Sequence, residues 1–181
     1  STGSTYEKLN IPGESELIGV SVHFCATCDG AFYRDREVIV IGGGNSALEE
    51  GIFLSGFTKK VKIINRRASF KASQTYIDKL PELDNVETHY NKDALALDID
   101  QDGKFAGLRV RDSITGEEEV ISADGVFIFV GLKPNNASFK GLVEMNERGF
   151  ITTTGLANTS VHGIFAAGDN REGAIAQVAA A

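Results

Sequence analysis

The sequence predicts an α/β fold: a Rossmann-like, three-layer domain with a mostly parallel sheet and an added antiparallel β-meander. An apolar strand, "EVIVIGGG" at 37–44, ends in glycines, and a helical pattern follows over 45–57. A second strand at 60–67 completes a strand–glycines–helix–strand order that is typical of parallel sheets. Two alternating runs within 107–123 predict the hairpin of the meander.

The other segments carry weaker signals. Residues 1 to about 20 are rich in Ser, Thr and Gly and are expected to form loop. A helix is predicted over 73–83, with Pro81 in its last turn. Further strands are predicted at 86–91, 94–100, 125–132, 149–155 and 162–169, and "KPNN" at 133–136 is predicted to be a turn or linker.

Length, charge and cysteine content limit the classes of protein to consider. The chain has 181 residues, a formal net charge of −7 and two cysteines. The negative charge argues against nucleic acid or an anionic membrane surface as a partner. No apolar run approaches the roughly 20 residues of a membrane span, and the N-terminus does not have the pattern of a signal peptide. Two cysteines are too few for a secreted disulfide scaffold, so we expect a cytoplasmic protein.

The glycines after the first predicted strand form a candidate dinucleotide-binding turn. "GGGNSA" matches G-x-G-x-x-A through Gly42, Gly44 and Ala47. These residues would allow a tight turn, a close approach of pyrophosphate to the backbone, and close packing of helix on strand. The helix N-terminus would then direct free N–H groups toward phosphate. The alternative is an ordinary strand-to-helix turn.

The end of the next strand indicates which dinucleotide would bind. An NAD site places Asp or Glu about 20 residues after the glycines. This sequence has Asn65, then Arg66 and Arg67, then Lys71. Guanidinium groups can bind a 2′-phosphate that an acid would repel, so the sequence favours NADP(H). The alternative is a solvated basic strand end.

Both cysteines, Cys25 and Cys28, lie in "HFCATCDGAFYR". A zinc site needs about four ligands, and the three histidines of the chain are scattered singly. A structural disulfide across two residues would restrict the unfolded chain little. A redox-active pair is therefore favoured. Asp29 would carry protons during exchange, unless Asp29-Gly30 is a simple turn. A flavin is expected between nicotinamide and disulfide, because it accepts hydride and delivers electrons to sulfur.

Four segments in this order, "CATCDG", "VIGGGNSALEE", "RRASFK" and "GIFAAGD", resemble the low-molecular-weight NADPH-dependent thioredoxin reductases. The resemblance implies a flavoprotein homodimer that passes electrons from NADPH through FAD to the CxxC disulfide and on to thioredoxin. By this resemblance Cys28 faces the flavin, Cys25 attacks thioredoxin, and Asp29 is the acid/base. The implied NADP ligands are Gly42, Gly43, Gly44, Asn45, Ser46, Ala47, Arg66, Arg67 and Lys71, and the implied FAD ligands are Asp169, Gln177 and Val178.

The chain departs from this family pattern at four positions. Asn65 replaces the usual histidine before the arginine pair, and Lys71 replaces a third arginine. Ala31 stands where an aromatic residue often precedes Phe32, and Ala176 stands where arginine is common. Each departure concerns one contact of the expected cofactor or partner surface.

The resemblance also implies a division of the chain. Residues 1–8 and 137–181 would be pieces of a second, FAD-binding domain, and residues 9–136 would be the NADPH domain with the CxxC pair. On this basis we expect little reductase activity from the chain alone. The alternatives are the core of a peroxiredoxin-reducing flavoprotein subunit, a ferredoxin-fed relative, and a non-catalytic NADP-binding module that senses redox state.

Overall fold

A computed structural model describes residues 1–174 of the chain. The described residues divide into two compact units, one formed by Lys8–Val130 and the other by Ser1–Glu7 together with residues 131–174. The boundaries predicted from the sequence lie after residues 8 and 136. No helix in the described part is long and apolar enough to cross a lipid bilayer.

Helices and strands alternate through the first half of the chain, and strands dominate after it. The strands are β1 (Ser4–Tyr6), β2 (Val22–His23), β3 (Glu37–Ile41), β4 (Lys60–Ile64), β5 (Val86–His89), β6 (Lys92–Ile99), β7 (Phe105–Asp112), β8 (Glu118–Ile121), β9 (Gly125–Ile128) and β10 (Leu132–Pro134). The α-helices are α1 (Glu14–Leu17), α2 (Ala26–Asp29), α3 (Asn45–Ser55) and α4 (Gln74–Lys79), with short 3₁₀ turns at Gly30–Tyr33, Leu80–Glu82 and Ala137–Phe139.

A five-stranded sheet in the order β2-β9-β3-β4-β5 forms the centre of the larger unit. Every strand pair in it is parallel, and β3 pairs residue by residue with β4 from Glu37↔Lys60 to Ile41↔Ile64. The predicted strand–helix–strand unit corresponds to β3, α3 and β4. The prediction of an α/β fold around a parallel sheet is therefore confirmed.

The two faces of this sheet are covered by different layers. Val38 and Val40 point to the side of α3, where they join a cluster with Leu48. Ile39 and Ile41 alternate with them and join a cluster on the opposite face that contains Leu108 of β7. Because both faces are buried, β3 is a continuous apolar run rather than an alternating one. The antiparallel sheet β6-β7-β8 supplies the second covering layer, which confirms the predicted meander.

The first 20 residues differ from the predicted loop. They contain β1 and α1, and α1 begins with a buried carboxylate. Glu14 accepts hydrogen bonds from the backbone N–H groups of Leu9 and Asn10, at 2.9 and 2.7 Å. A short helix held by a side chain that bonds back to an earlier loop has no periodic sequence signal.

The smaller unit contains less regular structure than the sequence suggests. The predicted linker at 133–136 overlaps β10, which pairs antiparallel with β1. The predicted strands at 149–155 and 162–169 are wrong: within the described residues they form only isolated bridges, such as Ile151 with Arg171 and Phe165 with Asn158. An apolar run becomes a strand only where a neighbouring strand supplies a ladder of backbone bonds.

Candidate functional site

Three strands of the parallel sheet end at the same edge, and the predicted site residues follow them. Strand β2 ends at His23, β3 ends at Ile41 and β4 ends at Ile64. The carboxyl edge of a parallel sheet is where such folds bind their ligands. The cysteine pair, the glycine turn and the arginine pair therefore all lie at the edge where chemistry is expected.

The turn after β3 needs glycine for steric reasons. Gly42 has φ 149°, and a Cβ placed on it would lie 2.4 Å from the Phe129 carbonyl oxygen and 2.8 Å from the Ala47 Cβ. A Cβ placed on Gly44 would have no neighbouring atom within 4 Å, so space remains open beside its backbone. The first glycine thus closes the turn, and the third leaves room for a ligand.

The N-terminus of α3 faces this open space without competing groups. Its N-cap is Gly44, no side chain caps the helix, and its first turn contains no acidic residue. Asn45 and Ser46 are exposed, whereas Ala47 is fully buried against the sheet. The free N–H groups and the positive end of the helix dipole are available to an anion such as pyrophosphate.

The loop after β4 is bonded directly to the glycine turn. The Lys71 N–H donates to the Gly43 carbonyl at 2.7 Å. The buried Asn65 side chain donates to the Ser69 carbonyl at 2.9 Å and accepts from the Arg67 N–H at 3.3 Å. Asn65, which departs from the family pattern, is therefore a buried residue that holds the basic loop through these two hydrogen bonds.

Two further contacts hold the same loop in place. The Ser73 N–H donates to Asn45 Oδ1 at 2.7 Å, which ties the end of the loop to α3. Phe70 is buried in the core, and its ring lies 5.0 Å from that of Tyr90. Asn45 was predicted as a residue of the pyrophosphate turn, which stays a prediction, and in the structure its side chain holds the end of the basic loop.

The three predicted 2′-phosphate ligands project from this loop into solvent. Arg66, Arg67 and Lys71 are exposed, and no carboxylate of residues 1–174 forms an ion pair with any of them. Unpaired cations on a fixed loop beside an open helix N-terminus are suited to a phosphorylated ribose. The residues present therefore fit NADP.

The two cysteines form a disulfide at the start of α2. Their Cα atoms are 5.3 Å apart, and Cys25 is the N-cap of the helix. The Cys25 sulfur accepts hydrogen bonds from the Cys28 N–H at 3.2 Å and from the Thr27 hydroxyl at 3.3 Å. These donors would stabilise a thiolate on Cys25. Cys28 is exposed and Cys25 is half-buried, and the assignment of their separate roles stays a prediction.

Asp29 is joined to a buried series of side chains that the sequence did not reveal. Its Oδ2 lies 3.2 Å from Nδ1 of His23, the last residue of β2. Nε2 of the same imidazole lies 2.8 Å from the hydroxyl of Tyr33. The sequence showed His23 only as a single histidine near the cysteines, since spacing along the chain does not indicate that the three side chains meet.

Glu50 of α3 is a second carboxyl group near the dithiol. Its Oε2 is buried and has no hydrogen-bond partner among the described residues. Burial raises the pKa of Glu50, while the backbone N–H groups of Ala26 and Thr27 in α2 act in the opposite direction with smaller effect. The sequence contained no signal for this residue, because Glu49-Glu50 has the pattern of an ordinary polar stretch of a helix.

The described residues supply little of a flavin site. Asp169 is half-buried in the smaller unit, and Gln177 and Val178 lie outside the described residues. One carboxylate alone does not form a flavin site, so these residues do not by themselves fit FAD. No group of His, Cys, Asp and Glu side chains within residues 1–174 could hold a metal ion.

Comparisons with known proteins agree with this arrangement. The chain is 40% identical over 179 residues to a thioredoxin reductase of Bacillus subtilis, covering 99% of this chain and 56% of that protein. It is 42% identical over 168 residues to one of the subunits of alkyl hydroperoxide reductase in Staphylococcus aureus, covering 93% and 33%. The crystal structure of Lactococcus lactis thioredoxin reductase (FR conformation) matches with a TM-score of 0.83 at 34% identity, covering 98% and 58%.

These matches confirm the resemblance seen in the sequence, and the chain spans between one third and somewhat over half of the proteins it matches. The family model for pyridine nucleotide-disulphide oxidoreductases matches residues 1–181. The chain belongs to the pyridine nucleotide-disulphide oxidoreductase family.

Proposed function

We propose that this chain carries the NADPH-binding and disulfide-bearing part of a thioredoxin-disulfide reductase, in which electrons pass from NADPH through FAD to the Cys25–Cys28 disulfide and on to thioredoxin. One observation carries the proposal: a disulfide and an open glycine turn lie at the same edge of one parallel sheet. The thioredoxin reductases among the matched proteins support the same activity.

The chain's own residues account for nucleotide binding. The open space beside Gly44 and the uncapped N-terminus of α3 would receive the pyrophosphate. Arg66, Arg67 and Lys71 would bind the 2′-phosphate. Their loop is already fixed by the Lys71 N–H bond to the Gly43 carbonyl, so little ordering would accompany binding.

The link between nicotinamide and the disulfide is chemistry that a bound flavin would supply, because flavins can take up a hydride and deliver electrons to sulfur. Because the described residues place only Asp169 of the predicted flavin ligands, no step is assigned to them in that transfer. The steps that this chain's residues can perform begin once both cysteines are reduced.

The reduced pair would exchange with a partner disulfide in two steps. The Cys25 thiolate attacks one partner sulfur, the partner S–S bond breaks, and the released partner thiolate takes a proton. Cys28 then gives its proton to Asp29 and attacks the Cys25 sulfur. The second partner thiolate leaves and takes that proton from Asp29, and the Cys25–Cys28 disulfide is restored. The partner gains two electrons, and the two chain thiols lose them.

The matching experiment combines a binding and an exchange measurement on the whole chain. We expect titration to show tighter binding of NADPH than of NADH. The Cys28→Ser variant, which retains Cys25, should form a mixed disulfide with oxidised thioredoxin, whereas Cys25→Ser should form far less. Absence of both NADPH binding and mixed-disulfide formation would overturn the proposal.

A second candidate is the core of a peroxiredoxin-reducing flavoprotein subunit, favoured by the 42% identity to the alkyl hydroperoxide reductase sequence. The partner distinguishes the two candidates. Faster exchange with a thioredoxin-like module of such a protein than with free thioredoxin would favour the second candidate. NADPH binding that persists with no exchange in either case would favour the non-catalytic sensor instead.

The visible absorption spectrum of the purified chain tests its flavin content. We expect a colourless protein with little NADPH-driven disulfide reduction on its own. A yellow protein with near-stoichiometric FAD would show that this expectation is wrong. A homodimer and a cytoplasmic location remain part of the proposal; the resemblance supports the first, and a single close cysteine pair suits a reducing compartment.

A further inference from the structure

The hydrogen bonds that join Asp29, next to Cys28, to the buried side chains of His23 and Tyr33 run in one defined direction. Tyr33 is 5% exposed, and its hydroxyl has His23 Nε2 as its hydrogen-bond partner among residues 1–174. If Nε2 carried the proton, the Tyr33 hydroxyl proton would be buried without an acceptor, which is costly. The arrangement that satisfies every group has Tyr33 donating to Nε2, so that the imidazole proton lies on Nδ1.

The surroundings keep both rings in this arrangement. A Cβ on Gly125 would lie 2.3 Å from the Tyr33 ring, so the tyrosine packs directly on the backbone of β9. The Phe127 ring lies 5.2 Å from the His23 ring and 5.5 Å from the Tyr33 ring. Burial raises the pKa of Tyr33 to about 12, with the Asp29 charge acting in the same direction, so the phenol stays a donor at neutral pH.

We propose that His23 and Tyr33 are positioning residues for Asp29: Tyr33 donates to His23 Nε2, and His23 Nδ1–H donates to Asp29 Oδ2 and holds that carboxylate for proton transfer at the dithiol. This inference rests on the proposed function, in which Asp29 moves the proton. Asp29 is 35% exposed, so without this bond its side chain would have freedom to turn into solvent. Orienting an acid/base group through a second, buried group is a recurrent device in catalytic sites.

The electrostatic surroundings of these three residues are limited. Arg36 and Asp124 act on Tyr33 in opposite directions, and both effects are smaller than that of burial. Glu50 lies against the amides of Ala26 and Thr27 in α2. These groups must be unchanged in any variant whose pH profile is compared with that of the wild type.

A double-mutant cycle on the exchange reaction tests the proposal. The chain is reduced with dithiothreitol, freed of reductant and mixed with oxidised glutathione, and the chain thiols are counted by mass spectrometry over a range of pH. One glutathione disulfide takes two electrons from the two cysteines and leaves as two thiols. We expect Asp29→Asn to slow exchange about 100-fold. His23→Leu should slow it about tenfold and shift the pH profile.

The coupling between the two positions decides the result. In the Asp29→Asn background, His23→Leu should have almost no further effect, because no carboxylate remains to be positioned. His23→Asn, which keeps an N–H near the Nδ1 position, should restore most of the rate. Multiplicative effects of Asp29→Asn and His23→Leu, or an unshifted pH profile, would overturn the proposal. The matched controls are His162→Leu, at an exposed histidine, and Tyr76→Phe, and both should exchange at the wild-type rate.

A spectroscopic measurement keeps the test independent of folding defects in variants. Nitrogen-15 NMR of the wild-type imidazole should show the proton of His23 on Nδ1, and Tyr33→Phe should weaken that preference. A proton on Nε2 in the wild type would overturn the proposal. Failure of the proposed function gives a different result from failure of this inference. If the proposed function is wrong, the Asp29 and His23 substitutions are coupled in the exchange with glutathione disulfide, but the chain does not exchange with thioredoxin. If the chain exchanges with thioredoxin and the two substitutions are not coupled, only the positioning role is rejected.

Discussion

The nucleotide turn (residues 42–47) and the dithiol turn (residues 25–29) lie at the same edge of one sheet. One is shaped by its backbone, and the other is shaped by side chains. The nucleotide turn consists of backbone and small residues, with Gly42 closed against a carbonyl and Gly44 open. The dithiol turn depends on side chains that come together from β2, α2 and a 3₁₀ turn, namely His23, Asp29 and Tyr33. A backbone site is specified by a local motif, whereas a side-chain site is specified by tertiary contacts.

The largest expected effect tests the backbone side of this comparison. Gly42→Ala places a methyl group 2.4 Å from a backbone oxygen at a residue with φ 149°. The same methyl group would lie 2.8 Å from the Ala47 Cβ. The Phe129 carbonyl directly follows β9 and Ala47 belongs to α3, so neither neighbour can move without displacing one of these elements. We therefore expect the free energy of unfolding to fall by about 3 kcal/mol. Urea denaturation measures the loss.

Gly44→Ala is the matched control within the same turn. Gly44 has φ −100° and no atom within 4 Å of its Cβ position. We expect the free energy of unfolding to change by less than about 1 kcal/mol, while NADPH binds more weakly because the methyl group occupies the space for pyrophosphate. Equal destabilisation by the two substitutions would contradict the distinction between a closed and an open glycine.

The next effect concerns the unpaired cations of the loop. The double substitution Arg66→Ala and Arg67→Ala removes charged donors to a 2′-phosphate and leaves the glycine turn intact. We expect the preference for NADPH over NADH to fall by about 10- to 100-fold, measured by titration with both nucleotides. Arg111→Ala, at an exposed arginine of β7, is the charge-matched control and should leave the preference unchanged. An equal loss of affinity for both nucleotides would show that the pair does not recognise the 2′-phosphate.

The same contrast explains how much could be predicted from the sequence. The parallel sheet, α3 and the glycine turn were predictable because apolar runs, helical spacing and glycine sterics act over a few residues. The packing role of Asn65 was not, because its partner Ser69 and the close approach of Gly43 appear only once the loop folds back. The strands predicted at 149–155 and 162–169 failed for a related reason, since pairing partners are not encoded in the runs themselves.

A smaller effect is expected near the dithiol, in the way that Glu50 makes the free energy of unfolding depend on pH. Burial raises the pKa of Glu50 above its unfolded value, so its stabilising contribution is complete below the unfolded pKa and is lost as pH rises through the folded pKa. Glu50→Gln removes this titration. The free energy of unfolding of the variant, relative to that of the wild type, should therefore increase as pH rises from the unfolded to the folded pKa of Glu50. Above the folded pKa this difference should be constant. Denaturation curves collected across acid and neutral pH would show it, and a difference that falls with pH would contradict it.

The smallest expected effect is the pH dependence of the free energy of unfolding that comes from Glu37, on the strand that leads to the nucleotide turn. Its sign is opposite to that of Glu50. Hydrogen bonds from Lys62 and then Lys59 hold the pKa of Glu37, at the start of β3, below its usual value. Its contribution is therefore present above the unfolded pKa and is lost as pH falls through the folded pKa. Glu37→Gln should lower the free energy of unfolding at neutral pH by no more than about 1 kcal/mol, with the difference vanishing in acid and shrinking in high salt. If Glu37→Gln and Glu50→Gln changed the free energy of unfolding with the same pH dependence, the comparison would fail. Burial would then not distinguish Glu50, near the dithiol, from Glu37, which is an ordinary ion-pair carboxylate.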